Sequence, residues 1–185
     1  MHSIVSTLVD RCVAGEAEAW RELHRAYHPV VRTFLRRLGV TPAELDDVGQ
    51  EVFVQMFRSL RGFERRADLK TWVYRLCVTH AGRLRRRRAL RAGLAWIGLG
   101  RQPEPAAEAT FWSEGELQRR VAETLGAMKA MSRQVLVLYE LEGLSGDEIA
   151  AVLGCPVATV WRRLHYARGE FSALVLGESD AEGTS

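Results

Sequence analysis

Only three cysteines occur in the 185 residues, Cys12, Cys77 and Cys155, and no two stand at a Cys-x-x-Cys spacing. An odd, scattered set supports neither a disulfide framework nor a zinc site, and a reducing cytoplasm is the simplest compartment for it. Long apolar runs are also missing. The best candidate, "GLAWIGLG" at 93–100, falls far short of the roughly 20 residues needed to span a bilayer, so no stable membrane insertion is expected. The first apolar stretch meets Asp10 and Arg11 too soon to read as a secretory signal. Strand-like alternation is absent, and so are a phosphate-binding glycine loop, a nucleophile–base pair and an acidic metal cluster. His24 and His28 have a metal-ligand spacing, but Arg25, Ala26 and Tyr27 lie between them and no third ligand presents itself. The chain is therefore expected to carry no cofactor, no metal and no catalytic residue.

What is present is helical period and unevenly placed charge. Net charge is only +3. Between Arg58 and Arg91, however, twelve Lys+Arg face only Glu64 and Asp68, which makes this stretch about +10 and the remainder acidic. Such a local field suits a polyanion and contributes a salt-sensitive binding term. Helices are expected over 3–14, 16–38 with a kink at Pro29, 42–60, and Leu69 to about Ala92. The last begins apolar and aromatic and ends in "GRLRRRRALR", residues 82–91. Gly93, Gly98, Gly100, Pro103 and Pro105 then break the pattern, which marks 93–112 as a linker. Further helices are expected over 114–130, 133–142, 146–153 and 156–175, followed by a small acidic, mobile tail at 177–185. The fold class is all-α: two small helical domains, 1–92 and 113–176, on a flexible tether.

Residues 144–168, "LSGDEIAAVLGCPVATVWRRLHYAR", have the grammar of a helix-turn-helix. Ser145 and Glu148 are spaced as a capping box. Gly154 can take the left-handed conformation that ends a helix, and Pro156 fits the first turn of the next. Val157, Val160 and Leu164 point the second helix inward. That leaves Ala158, Thr159, Trp161, Arg162, Arg163, His165, Tyr166 and Arg168 for the outside, where a major groove admits such a helix.

This segment resembles region 4 of bacterial sigma-70 family factors of the extracytoplasmic-function (ECF) group. "DDVGQEVFVQMFRSLRGFERRADLKTWVYRL" at 46–76 is similar to region 2 of the same group. The likeness covers most of 10–172, with both motifs in the family's order. It implies a factor that binds RNA polymerase core, through the β′ clamp helices and the β flap, recognises −35 and −10 promoter elements in DNA, and promotes strand opening. The core-binding residues implied are Asp47, Gln50, Glu51 and Arg58. For the −10 element they are Phe63, Arg65, Arg66, Lys70, Trp72, Tyr74, Arg75, His80, Arg83, Arg85, Arg86 and Arg87. For the −35 element they are Thr159, Trp161, Arg162, Arg163, His165, Tyr166 and Arg168. An anti-sigma factor is the regulatory partner the group implies. His80 stands where an asparagine is usual, Ala158 replaces a common glycine, and "WRR" at 161–163 departs from the usual triplet. From the C-terminal motif alone, a conventional dimeric helix-turn-helix regulator is the alternative. From the basic stretch alone, it is an enzyme acting on nucleic acid.

Overall fold

A computed structural model describes residues 2–63, 68–96 and 116–182. Arg65 and Arg66, and the linker from 97 onward, lie outside the described residues. Among the described residues all regular structure is helical: α1 (His2–Val13), α2 (Ala17–Arg37), α3 (Pro42–Ser59), a 3₁₀ turn (Leu60–Gly62), α4 (Leu69–Trp96), α5 (Glu116–Ala127), α6 (Ala130–Leu136), a π turn continuing it (Val137–Leu141), α7 (Gly146–Leu153) and α8 (Val157–Glu182). None of these helices is long and apolar enough to cross a membrane.

The first module packs α1 on α2, and α2, α3 and α4 on one another. Ala19, Leu23, Val31, Phe34 and Leu35 of α2 recur at helical spacing and are buried. They meet Val52 and Met56 of α3 and Val73, Tyr74 and Cys77 of α4, all without solvent exposure. The Phe34 and Tyr74 rings lie 4.3 Å apart. Trp20 ties α1 to α2 by donating from Nε1 to the Cys12 carbonyl at 3.0 Å. Gly39, at φ +86°, turns the chain after α2, with the Val40 N–H bonded back to Leu35 O at 3.1 Å. Pro42 then opens α3, where a missing N–H costs nothing.

In the second module α5, α6 and α7 pack around α8. Val135, Val137, Leu138, Ile149, Val160, Leu164 and Ala167 make its core.

Three helix expectations change. α2 runs unbroken through Pro29; that residue is exposed, and packing at Leu23, Val31, Phe34 and Leu35 holds the helix on both sides of it. α4 continues to Trp96 and α8 to Glu182, because "ALRAGLAW" and "ALVLGESDAE" contain good helix formers and a single glycine does not stop a long helix. The segment expected as a tail from 177 is thus helical as far as Glu182. The modules also touch each other. The tether is not the sole connection between the modules: α4 packs on α7 and α2 on α5, and the buried residues of both modules form one connected apolar cluster.

Candidate nucleic-acid interface

The helix-turn-helix forms as its local chemistry dictates. Ser145 Oγ accepts from the Glu148 N–H at 3.3 Å, and the Ser145 N–H donates to Glu148 Oε2 at 2.8 Å, completing the capping box. The Ser145 backbone bond, and then its hydroxyl, hold the Glu148 carboxyl below its ordinary range. Gly154 adopts φ 63°, ψ 41°, ending α7. Pro156 caps the entry to α8, accepting from the Thr159 N–H at 2.8 Å.

Val160 and Leu164 are buried and Val157 is half-buried. The opposite side of α8 presents Ala158, Trp161, Arg162, His165, Tyr166 and Arg168 to solvent, with Thr159 and Arg163 half-buried. Tyr166 is 67% exposed. Several of these residues are already engaged. Arg168 donates from Nε (2.9 Å) and Nη2 (2.6 Å) to Glu140 Oε1 and sits over the Tyr139 ring. Trp161 packs edge-on to Tyr139, at 5.7 Å between ring centroids. Its indole also lies across the start of α7, so close to Gly146 that a Cβ there would come within 2.6 Å of it. Arg163 reaches the Cys155 sulfur at 3.8 Å.

In the first module the predicted residues divide. Asp47, Gln50 and Arg58 are exposed and Glu51 is half-buried. Together with His80, Arg83 and Arg87 they line one polar cleft of about 610 Å³ between α3 and α4. Glu51 is the hinge of that cleft: Oε2 lies 3.0 Å from His80 Nδ1, and Arg87 Nη2 donates to both carboxylate oxygens at 3.1 and 3.2 Å. The His80 bond, then Arg87, holds the Glu51 carboxyl below its ordinary range. A second groove, apolar and of about 730 Å³, lies across α3 against α2, floored by Trp20, Phe53 and Phe57. Here His24 and His28 flank Phe53, which accounts for their spacing by packing.

Arg75, Arg83, Arg85 and Arg86 of α4 are exposed. Phe63 and Trp72 pair at 5.4 Å and are both half-buried, with Lys70 nearby on the same helix end. Two expected −10 contacts need correction for this conformation. Tyr74 is fully buried against Phe34, and its hydroxyl donates to Glu142 across the module boundary. His80 is 5% exposed and turned onto Glu51. Both residues lie on the stripe of α4 that meets its neighbours, so neither offers its ring to a base. Arg88, which also belongs to the arginine run, is bound to Glu44 and to the Gly39 carbonyl. Glu142 and Arg133 were not anticipated at all: Glu142 takes Arg37 and Tyr74 from the other module, so no local signal marks it, while Arg133 donates to the Gly126 and Met128 carbonyls of its own module and covers Gly39 of the other.

Two helical modules, one with an exposed helix-turn-helix and one with a basic helix beside an aromatic pair, have the surfaces of a nucleic-acid-binding protein. The model of sigma-70 region 2 matches residues 23–91, and that of sigma-70 region 4 matches residues 118–170. The RNA polymerase sigma factor CnrH of Cupriavidus metallidurans is 30% identical over 182 residues, covering 94% of this chain and 95% of that one. The ECF RNA polymerase sigma-E factor of Escherichia coli is 30% identical over 181 residues, covering 87% and 88%. A solved structure of CnrH in complex with the cytosolic domain of CnrY superposes with TM-score 0.67 at 29% identity, covering 92% of this chain and 96% of that one. The chain belongs to the ECF group of the sigma-70 family. It is a sigma factor, which binds RNA polymerase and promoter DNA to start transcription, and not a free-standing dimeric regulator.

Proposed function

We propose that the promoter and polymerase contacts divide by face. The polar cleft side of α3, with Asp47, Gln50, Glu51 and Arg58, docks on the β′ clamp helices of core polymerase, and the second module rests on the β flap. Polar groups at such an interface supply register more than bulk affinity. Arg162, Arg163, His165, Tyr166 and Thr159 read the duplex −35 element, with Trp161 and Arg168 at the edge of that face. Lys70, Arg75, Arg83, Arg85, Arg86 and Arg87, with Arg65 and Arg66, track the −10 strand. Phe63 and Trp72 form the stacking platform beside them. Extruding a base costs a few kcal/mol, and stacking on an aromatic side chain returns roughly 1–3 kcal/mol per base. Strand opening therefore needs no nucleotide hydrolysis by this chain.

The functional division we read is 1–92 and 113–176, with 93–112 between them, acting in the cytoplasm as a subunit without catalysis of its own. An anti-sigma protein is the expected inhibitor; the structure of the relative CnrH contains the cytosolic domain of CnrY.

The observation that carries this reading is the outward arginine face of α8 on a capped helix-turn-helix, in one chain with the basic α4. In vitro transcription with core polymerase tests it. Initiation should start at discrete promoters and require the chain. Initiation that is equal on all templates, or independent of the chain, would sink it.

A further inference from the structure

We infer that Arg162 is the arginine of α8 that reads a base, a guanine of the −35 element, and that Arg163 and Lys129 seat a backbone phosphate of one strand in a cleft between α6 and α8. This rests on the promoter reading above and divides its residues between base and backbone.

The division starts from the way α8 is buried. Val160, Leu164 and Ala167, at most 2% exposed, set the inward direction of the helix. At about 100° of turn per residue, Arg162 projects roughly 170° from that direction and Arg163 only roughly 70°. Ala158 and His165 stand one turn before and one turn after Arg162 and are exposed with it, so the three form an outward ridge. A helical side chain leans toward the N-terminus of its helix. Arg162 therefore leans over Ala158, whose methyl leaves the path clear, toward the end of α8 that reaches base edges. Among the described residues, no hydrogen bond or ion pair holds Arg162 back.

Arg163 is placed otherwise. It is half-buried, with Nη1 3.8 Å from Cys155 Sγ. It lines a cleft of about 440 Å³ with Tyr166 and Glu170 of α8 and with Lys129, Met131 and Ser132 at the start of α6. Glu170 is the one carboxylate of that lining, and it is taken up by the Lys129 N–H at 2.6 Å. Lys129 itself is exposed. Two cations against one engaged carboxylate leave the cleft positive.

The dimensions of duplex DNA turn these two placements into two roles. A major groove about 12 Å wide is filled by a helix that measures about 10–12 Å with its side chains. The outward ridge then meets base edges, and each flank meets a backbone. An arginine on the ridge matches guanine O6 and N7 with two donated hydrogen bonds. Cations on the flank meet phosphate, which fixes register without reading sequence. The triplet "WRR" at 161–163 thus sends its two arginines to different targets.

Holoenzyme assembled from core polymerase and the full chain, presented with promoters randomised across the −35 element, tests this. Wild type should enrich a motif with guanine fixed at one position of one strand. Arg162→Ala should lose about tenfold discrimination or more at that position and keep the rest of the motif. Arg163→Ala should bind every sequence more weakly by one factor, keep the motif, and lower the salt slope by about one. Lys129→Ala, an exposed substitution, should do the same and serves if Arg163→Ala does not fold. A wild-type motif without guanine, a uniform loss with Arg162→Ala, an altered motif with Arg163→Ala, or unchanged affinity with Lys129→Ala overturns the division. Absence of any upstream motif with wild type would instead overturn the promoter reading on which it rests.

Discussion

α4 and α8 are both long helices and both expected to touch DNA through arginines, yet they hold their charges differently. On α8, Arg162 lies in solvent and Arg163 is half-buried; only Arg168 is tied to a carboxylate, one from a neighbouring helix of its own module. On α4, Arg87 and Arg88 are bound to Glu51 and Glu44 of α3, and the stripe carrying Tyr74 and His80 is buried. The difference is one of readiness. The C-terminal helix displays its reading face as folded, whereas the N-terminal helix spends part of its length bracing α3 and the partner module. Of the two helices, then, the less basic one is a nearly finished reading surface and the more basic one doubles as scaffold.

Breaking α8 from within should give the largest effect. Leu164 is 2% exposed at the root of α8, and Leu164→Ala should cost about 2–5 kcal/mol. Thermal denaturation should show the loss together with failure of −35 binding. On the reading face, Arg163→Ala should weaken −35 recognition by about 1–3 kcal/mol if the side chain reads a base. A filter-binding series over mutated elements checks this, and an equal loss on every sequence would reassign the residue to phosphate. Ser145→Ala removes the capping box and should cost about 1 kcal/mol of stability, visible as a lowered denaturation midpoint with an unchanged denaturant slope.

The smallest effect separates α4 from α8 by acid. The Glu51 carboxyl is depressed from its ordinary 4.5 in the folded chain by His80 first and Arg87 second. Its contribution is therefore complete above that value and fades as the pH falls through the lower folded one. Wild-type stability should drop more steeply below pH 4.5 than that of Glu51→Gln, and matching acid profiles would remove the tie from the account.

The same contrast explains what the amino-acid order reveals. The helix-turn-helix is legible because its determinants act within a dozen residues: Ser145 with Glu148, Gly154 in the left-handed region, and Pro156 at the next entry. The outward set on α8 follows from Val160 and Leu164 facing in. The far end of α4 is less legible, since one glycine at 93 reads as a break although the helix continues to Trp96. The Glu142 contact between the modules is not legible at all. Glu142 finds Tyr74 from 68 positions away and Arg37 from 105, and a π turn inside a good helical pattern leaves no compositional mark. Tyr74 looked like a base platform because an aromatic residue before an arginine run has no local feature to distinguish surface from core.

The seat of Trp161 on Gly146 has a consequence for anyone who would retarget this factor. Transplanting the outward positions of α8 into another member's scaffold would carry over the indole but not the bare backbone beneath it. A host with any side chain at the position of Gly146 would force the indole out of this seat. The portable specificity cassette therefore begins at the first turn of α7, some fifteen residues before the side chains that do the reading.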